Sequence, residues 1–453
     1  MRAGLTCVAL LALLMLGLAP VLLSQPPAPE VPREVSPEAA ASVVAPEPGV
    51  GFYVGSASCG TPLCHGSVVA RDVYEIRQNE YHVWSTADPH FHAYEVLSDP
   101  RSLVMARNLG LARPPREAAE CRACHAFTPP PERVSGRLPV EEGIPCEGCH
   151  GPAGGWIGSH DEAGWSHADS VAAGMRDLKD PSTRAGLCLS CHLGGEGKDV
   201  DHRLLAAGHP RLDFELDNFA ASVSHWRDDP DVAGARAWAV GQVAALGAEM
   251  ERISRLAGAG AWPELTLMTC GDCHHSLAEE RWRREPGAPV TGLPRWSPER
   301  WATLSHLVEA FAPGEAAGLE AALAEVARTV GRLGTPAAEA ESAAREVRRV
   351  AARVVPAIEG AEWSDRQIYR VLLAIARDGE GLPSADPAAA RQAAYAVNTL
   401  ASALVARDPR ILTTPLPDAV EAVYQAAADP YHYDRARFAA ALARLADVVR
   451  RAR

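Results

Sequence analysis

Cys121-Arg-Ala-Cys124-His125 and Cys146-Glu-Gly-Cys149-His150 repeat one five-residue pattern, and it returns as Cys188-Leu-Ser-Cys191-His192 and Cys270-Gly-Asp-Cys273-His274. A longer form, Cys59-Gly-Thr-Pro-Leu-Cys64-His65, puts four residues between its thiols. Together they take ten of the eleven cysteines and leave Cys7. Two thiols at this spacing reach the two vinyl groups of one porphyrin, and the histidine that follows lies under the iron as its proximal ligand. Zinc also binds C-x-x-C pairs, but it does not require histidine directly after the second cysteine. A disulfide framework likewise leaves five histidines in register unexplained. The reading is therefore five covalently attached haems c. Cys59, Cys64, Cys121, Cys124, Cys146, Cys149, Cys188, Cys191, Cys270 and Cys273 anchor them, and His65, His125, His150, His192 and His274 are the proximal iron ligands.

Outward from the motifs, the chain divides by composition. Residues 1–24 hold one positive charge, Arg2, and an apolar run from Ala3 to Leu23. This reads as a secretory signal peptide, or as a membrane anchor if it is retained. Residues 25–50, rich in Pro, Ala, Glu and Val, read as an extended linker. Residues 51–290 form the haem domain, with sparse helices and many Gly, Pro and Asp turns. About 240 residues correspond to a radius of gyration of roughly 18 Å, so five haems sharing that volume lie within electron-hopping reach of one another. One helix is expected there, over about Ala235–Ala257, from Ala239, Val243, Leu246 and Met250.

From residue 296 to 453 cysteine vanishes, and Ala and Arg dominate. Ser297-Pro298, Thr335-Pro336, Ser364-Asp365 and Asp386-Pro387 mark helix starts. Ile368, Leu372 and Ile375 form one apolar stripe, and Val347, Val350 and Val354 another. The fold class is thus mainly α: a cofactor-packed multihaem domain followed by an antiparallel bundle of about six helices.

Nine histidines of the haem domain lie outside the proximal set: His82, His90, His92, His160, His167, His202, His209, His225 and His275. Five irons need five distal ligands, so the supply favours bis-histidine, low-potential haems. His202 and His209, seven residues apart in a stretch that Gly208 and Pro210 would end, suit two adjacent haems. His90, His160 and His225 complete the candidate distal set. His306 and His432 read as structural. The net charge of −13 speaks against nucleic-acid binding. No motif ends in lysine, so the lysine-ligated catalytic haem of the pentahaem nitrite reductases has no counterpart.

Several blocks carry a resemblance. Asn79-Glu-Tyr-His-Val-Trp-Ser-Thr-Ala-Asp-Pro-His90, Cys146-Glu-Gly-Cys-His-Gly-Pro-Ala153 with Trp156 and His160, Ala206-Ala-Gly-His-Pro-Arg-Leu-Asp-Phe-Glu-Leu216, His225-Trp226 and Cys270-Gly-Asp-Cys-His-His275 resemble exported multihaem cytochromes c. The group is that of cytochrome c-554, the tetrahaem electron acceptor of hydroxylamine oxidoreductase. The resemblance spans about 51–285 and implies electron transfer through stacked haems, with His90, His160, His202, His209 and His225 as the matching extra histidines. The five haem sites and the long helical C-terminal region depart from it.

Three functions follow as expectations. The first is a periplasmic or otherwise exported electron carrier in a respiratory chain, serving redox partner proteins that the sequence does not identify. The second is an oxidoreductase with one open-coordinated haem, at Cys59/Cys64/His65, acting on a small nitrogen or sulfur compound. The third, compatible with either, is a subunit of a membrane complex docked through the helical bundle. Catalytic residues are not assigned.

Overall fold

The computed structural model describes residues 51–71, 76–226, 234–274, 294–384, 386–430 and 432–452. The expected signal or anchor, the linker and His275 lie outside the described residues. Among the described residues the chain is helical with long connecting loops. Extended pairing is limited to the isolated bridges Tyr53 to Val134 and Met268 to Trp296.

The haem-bearing region is built from short helices: α1 (Glu80–Ala87), α2 (Pro100–Leu109), α3 (Ala119–His125), α4 (Cys146–His150), α5 (His167–Ala172), α6 (Pro181–His192), α7 (His202–Ala207) and α8 (Leu216–Ser222). Most are too short to persist alone, since isolated helices under roughly 12–15 residues are marginal in water. They are fixed instead by caps and by polar anchors. Asp180 caps α6, Asp201 caps α7 and Glu215 caps α8 through side-chain carboxylates.

Helix α9 (Ala235–Gly258) matches the expected span to within a residue. Of its 24 residues 16 are buried, which marks a helix covered on more than one face. One side packs along α12 (Ala337–Glu359), and another meets α6 and α8. Around it stand α10 (Leu304–Phe311), α11 (Ala316–Val330), α13 (Asp365–Arg377), the short α14 (Gly381–Ser384), α15 (Pro387–Arg407), α16 (Leu416–Ala427) and α17 (Arg435–Arg451). A continuous apolar core runs from Ala235 through Leu267 and Met268 to Val449. In α12 the buried positions Ala340, Ala343, Ala344, Val347, Val350, Ala351, Val354 and Ile358 follow the spacing of one helical face. The sequence marks at Thr335-Pro336, Ser364-Asp365 and Asp386-Pro387 coincide with helix starts. Ser297-Pro298 does not, because turns intervene and α10 begins at Leu304.

None of the helices among the described residues is long and apolar enough to cross a membrane.

Candidate functional site

In a helical turn, residues i, i+3 and i+4 share one face, which is where a C-x-x-C-H motif needs its two thiols and its imidazole. The second motif ends α3, the third is α4 and the fourth forms the last turn of α6. At the fifth, Cys270–Asp272 make a 3₁₀ turn and His274 N donates to Cys270 O at 2.8 Å, closing one helical turn.

The first motif cannot use that geometry, because its longer spacing would take the residues off one face. It closes by turns instead. Cys64 N and Gly66 N both donate to Thr61 O, and His65 N donates to Cys59 O. A Cβ on Gly66 would lie 2.0 Å from Gly60 O, so this return of the chain requires glycine.

Each motif histidine faces one second histidine. His65 and His160 have ring centroids 6.2 Å apart, His125 and His209 6.5 Å, and His150 and His225 6.3 Å. His192 and His90 lie 6.0 Å apart, and His274 and His202 6.1 Å. Two metal–imidazole bonds of about 2.0 Å, with about 1.1 Å from each nitrogen to its ring centre, sum to roughly 6.2 Å. The five spacings therefore fit one metal ion between each pair of rings.

The tautomers point the same way. Nδ1 of His65 faces Glu80 Oε2 (3.0 Å), that of His90 faces Asp88 Oδ1 (2.8 Å), and that of His125 faces Ala93 O (2.8 Å). Nδ1 of His160, His209 and His225 faces the carbonyls of Ile157, Pro210 and Val223. Engaging Nδ1 in this way leaves Nε2 as the lone-pair donor toward a metal. Burial, with His225 beside it, holds His150 down at about 4; burial, with His90 beside it, does the same for His192. Both are thus neutral imidazoles at ordinary pH, as ligation requires.

The other histidines form none of these pairs. His92 Nδ1 is turned to Glu95 (2.8 Å), and His167 spends Nε2 on Asp177 (2.9 Å). His82 offers its carbonyl to Thr86 Oγ1 (2.6 Å), and His306 Nε2 meets Asp378 Oδ2 (3.1 Å).

Contacts between motifs order the pairs in space. The Cys59 and Cys146 sulfurs of the first and third motifs are close neighbours, as are those of Cys124 and Cys191 in the second and fourth. Cys149, pushed up to about 12 by burial, is a charge neighbour of Cys188 and links the third motif to the fourth. Helix α7 links the remaining two. His202 at its start faces His274, while His209, just past its end, faces His125. Gly208 makes the turn between them with φ of 116°, a left-handed cap that re-aims His209. Arg211 reinforces this link by donating to Cys270 Sγ at 3.2 Å.

Several supporting residues were not singled out from sequence. Glu147, inside the third motif and 2% exposed, accepts from the backbone N–H groups of Val54, Gly55 and Ala153, tying the start of the domain to that motif. Arg176 donates to the carbonyls of Gly148 and Cys149. Phe214 lies over His192 at 4.8 Å. The fifth motif is sewn to the helical region: Arg295 clamps the Asp272 carboxylate, Thr269 N donates to Arg295 O, and Ser297 N donates to Leu267 O. Of the tryptophans near candidate ligands, Trp156 meets His160 (5.6 Å) and Trp226 meets His225 (5.1 Å). Trp84 instead packs on Phe91 and donates to Ile144 O, and Trp165 donates to Ser170 Oγ.

Paired thiols, an imidazole directly after them and a second imidazole opposite define a c-type cytochrome, a protein that binds haem c covalently and transfers electrons. Residues 59–151, which hold the first three motifs, match the family model for cytochrome c554 and c-prime, and over that stretch the chain is similar to cytochromes of the c554 type. No curated protein and no solved structure matches the chain.

Proposed function

We propose that the chain is an exported electron conduit of a respiratory chain, with five haems c each held between two imidazoles. The observation that carries this reading is that all five motif histidines have a second histidine at 6.0–6.5 Å. Cys59 and Cys64 with His65 and His160 would hold the first haem, and Cys121 and Cys124 with His125 and His209 the second. Cys146 and Cys149 with His150 and His225 would hold the third, Cys188 and Cys191 with His192 and His90 the fourth, and Cys270 and Cys273 with His274 and His202 the fifth. Bound haem iron supplies one-electron exchange. The chain's own residues fix the ligands, bury the third and fourth sites and bring neighbouring anchors into contact. The contacts between motifs support a route from first to third, fourth, second and fifth site. Its two ends hold the exposed thiols Cys64, Cys270 and Cys273, where redox partners would exchange electrons.

The competing reading, an enzyme with an open iron at the first motif, needs an empty sixth position there. His160 stands over His65 with ring planes 16° apart, which argues against it. The apolar run from Ala3 to Leu23 supports export.

The test is the mass of the intact protein together with optical and EPR spectra of its ferric form. Five haems are expected, all low-spin and unmoved by cyanide or nitric oxide. Coplanar axial rings split the iron d orbitals rhombically, whereas crossed rings leave two of them nearly degenerate. The first and fifth pairs (16° and 26°) should therefore give rhombic signals, and the second and fourth (82° and 78°) strongly anisotropic ones. A high-spin signal that shifts on adding cyanide would sink this reading in favour of the enzyme.

A further inference from the structure

The five pairs differ in what stands behind the rings. Behind His125, His160, His209 and His225 the Nδ1 partner is a neutral backbone carbonyl. Behind His65 and His90 it is a carboxylate, Glu80 and Asp88 respectively. These two acids are built in. Asp88 is 4% exposed, and its Oδ1 accepts both the backbone N–H of His90 and the His90 ring. Glu80 divides its oxygens. Oε2 meets His65, while Oε1 accepts from the backbone N–H groups of Arg77 and Gln78 at 2.8 and 3.0 Å.

A carboxylate on the outer nitrogen draws the proton away from the ring and makes the inner nitrogen a stronger donor. A stronger donor, with a fixed negative charge close by, stabilises the more positive oxidation state of a metal. Hydrogen bonding of this kind is one of the means by which a protein sets a haem potential. A carbonyl polarises the ring without adding charge, so its effect is smaller.

We infer that Glu80 and Asp88 are positioning residues that lower the reduction potentials of the first and fourth sites below those of the second and third. This rests on the ligand pairing proposed above. Along the contact order, low sites would then alternate with higher ones: first low, third high, fourth low, second high. An electron would then rest on the third or second site, and its passage through the low fourth site between them would be an uphill step.

Asp88→Asn is the discriminating variant. Asparagine keeps an oxygen where Oδ1 stands, so both bonds from His90 survive while the charge is lost. Glu80→Gln also removes the charge at the first site, together with one of the bonds its two oxygens accept, and should raise that midpoint, so failure of one variant to mature leaves the other. Potentiometric titration of the haem-loaded protein, followed by EPR, separates the two crossed-ring sites from the two near-coplanar ones. Of the two crossed-ring components, one, that of the fourth site, should titrate at higher potential in Asp88→Asn. The change expected is roughly tenfold in the ratio of oxidised to reduced haem at a fixed potential, about 59 mV for a one-electron couple. The other four midpoints and the low-spin signals should stay in place, and Asp88→Glu should restore the lower value. An unchanged midpoint in a variant that stays fully low-spin overturns the inference. A wild-type protein with a high-spin haem overturns the pairing beneath it, and the two failures are told apart by spin state alone.

Discussion

Residues 51–226, the haem-bearing region that holds four of the five motifs, and the helical region from α9 onward, into which the fifth motif is set, contain apolar residues in quite different arrangements. Across the helical region a single cluster joins every helix longer than seven residues, with Trp238, Leu246, Met250, Ile253, Leu307, Ile368, Leu372 and Phe438 wholly buried. In the haem-bearing region the clusters are small. Tyr94, Leu97 and Ala126 form one, and Ala185, Leu189, Leu193 and Phe214 form another that leans on Ala237 and Ala245 of α9. The two regions are therefore stabilised by different things. The helical region carries enough apolar side chain to fold by its own burial. The haem-bearing region leaves the apolar filling to its cofactors and holds its loops with directed polar bonds, such as those of Glu147.

The largest effect that tests this contrast is loss of the cofactors. The full chain, produced where haem is not attached, should keep a protease-resistant fragment containing α9 to α17, while residues from 51 to about 226 are cut rapidly. Limited proteolysis with mass spectrometry reads this directly. A haem-bearing region that resists proteolysis without haem would mean that its small clusters suffice to fold it. A smaller effect concerns the bundle alone. Phe438→Ala empties a fully buried site on α17 and should cost about 3–5 kcal/mol of unfolding free energy in the helical region. The low-spin spectrum of the haems should not change. If that spectrum collapses together with the bundle, the two regions form one cooperative unit.

The same contrast governs what could be read beforehand. The helical region was legible from periodicity and caps, because a helix writes its buried face into the sequence at fixed spacing, as in Val347, Val350 and Val354. The motifs were legible because thioether chemistry fixes their spacing. The five histidines singled out as distal candidates are those the structure places opposite a motif histidine, and they were found partly by resemblance. Which faces which was not legible. The partner of His65 is 95 residues away and that of His192 precedes it by 102, and local spacing holds no record of such closures. Nor did the sequence reveal that α9 belongs to two packing surfaces at once, because a helix covered on several faces loses the single stripe that periodicity detects. Glu80 and Asp88 sat inside quoted blocks, but only the geometry showed their oxygens turned to ring nitrogens.

The buried acids of the two regions also differ. In the haem-bearing region, Glu80 and Asp88 are ionised by design, with carboxyls held low by the bonds they accept despite burial. At the edge of the helical region, burial pushes Glu215 and Glu249 up to about 7. Linkage gives these two groups opposite signs. A carboxyl lowered by folding adds stability above its unfolded value of about 4, and that stability is lost as the pH falls through the folded value. A carboxyl raised by folding contributes most below its unfolded value, and the contribution is lost as the pH rises toward 7. The haem-bearing region should therefore loosen first in acid, and the seam around α8 and α9 should weaken between about pH 4.5 and 7. For Glu249 the loss is on the order of 2–3 kcal/mol across that interval. Glu249→Gln keeps an acceptor for Trp296 Nε1, now 2.7 Å away, and removes the charge. Protection factors in α9, which divide out the intrinsic pH dependence of amide exchange, should be lower at pH 8 than at pH 5 in the wild-type protein and converge in the variant. Equal protection at both values in the wild type would mean that the Glu249 carboxylate is solvated, and that the seam is wetter than the close packing of α9 implies.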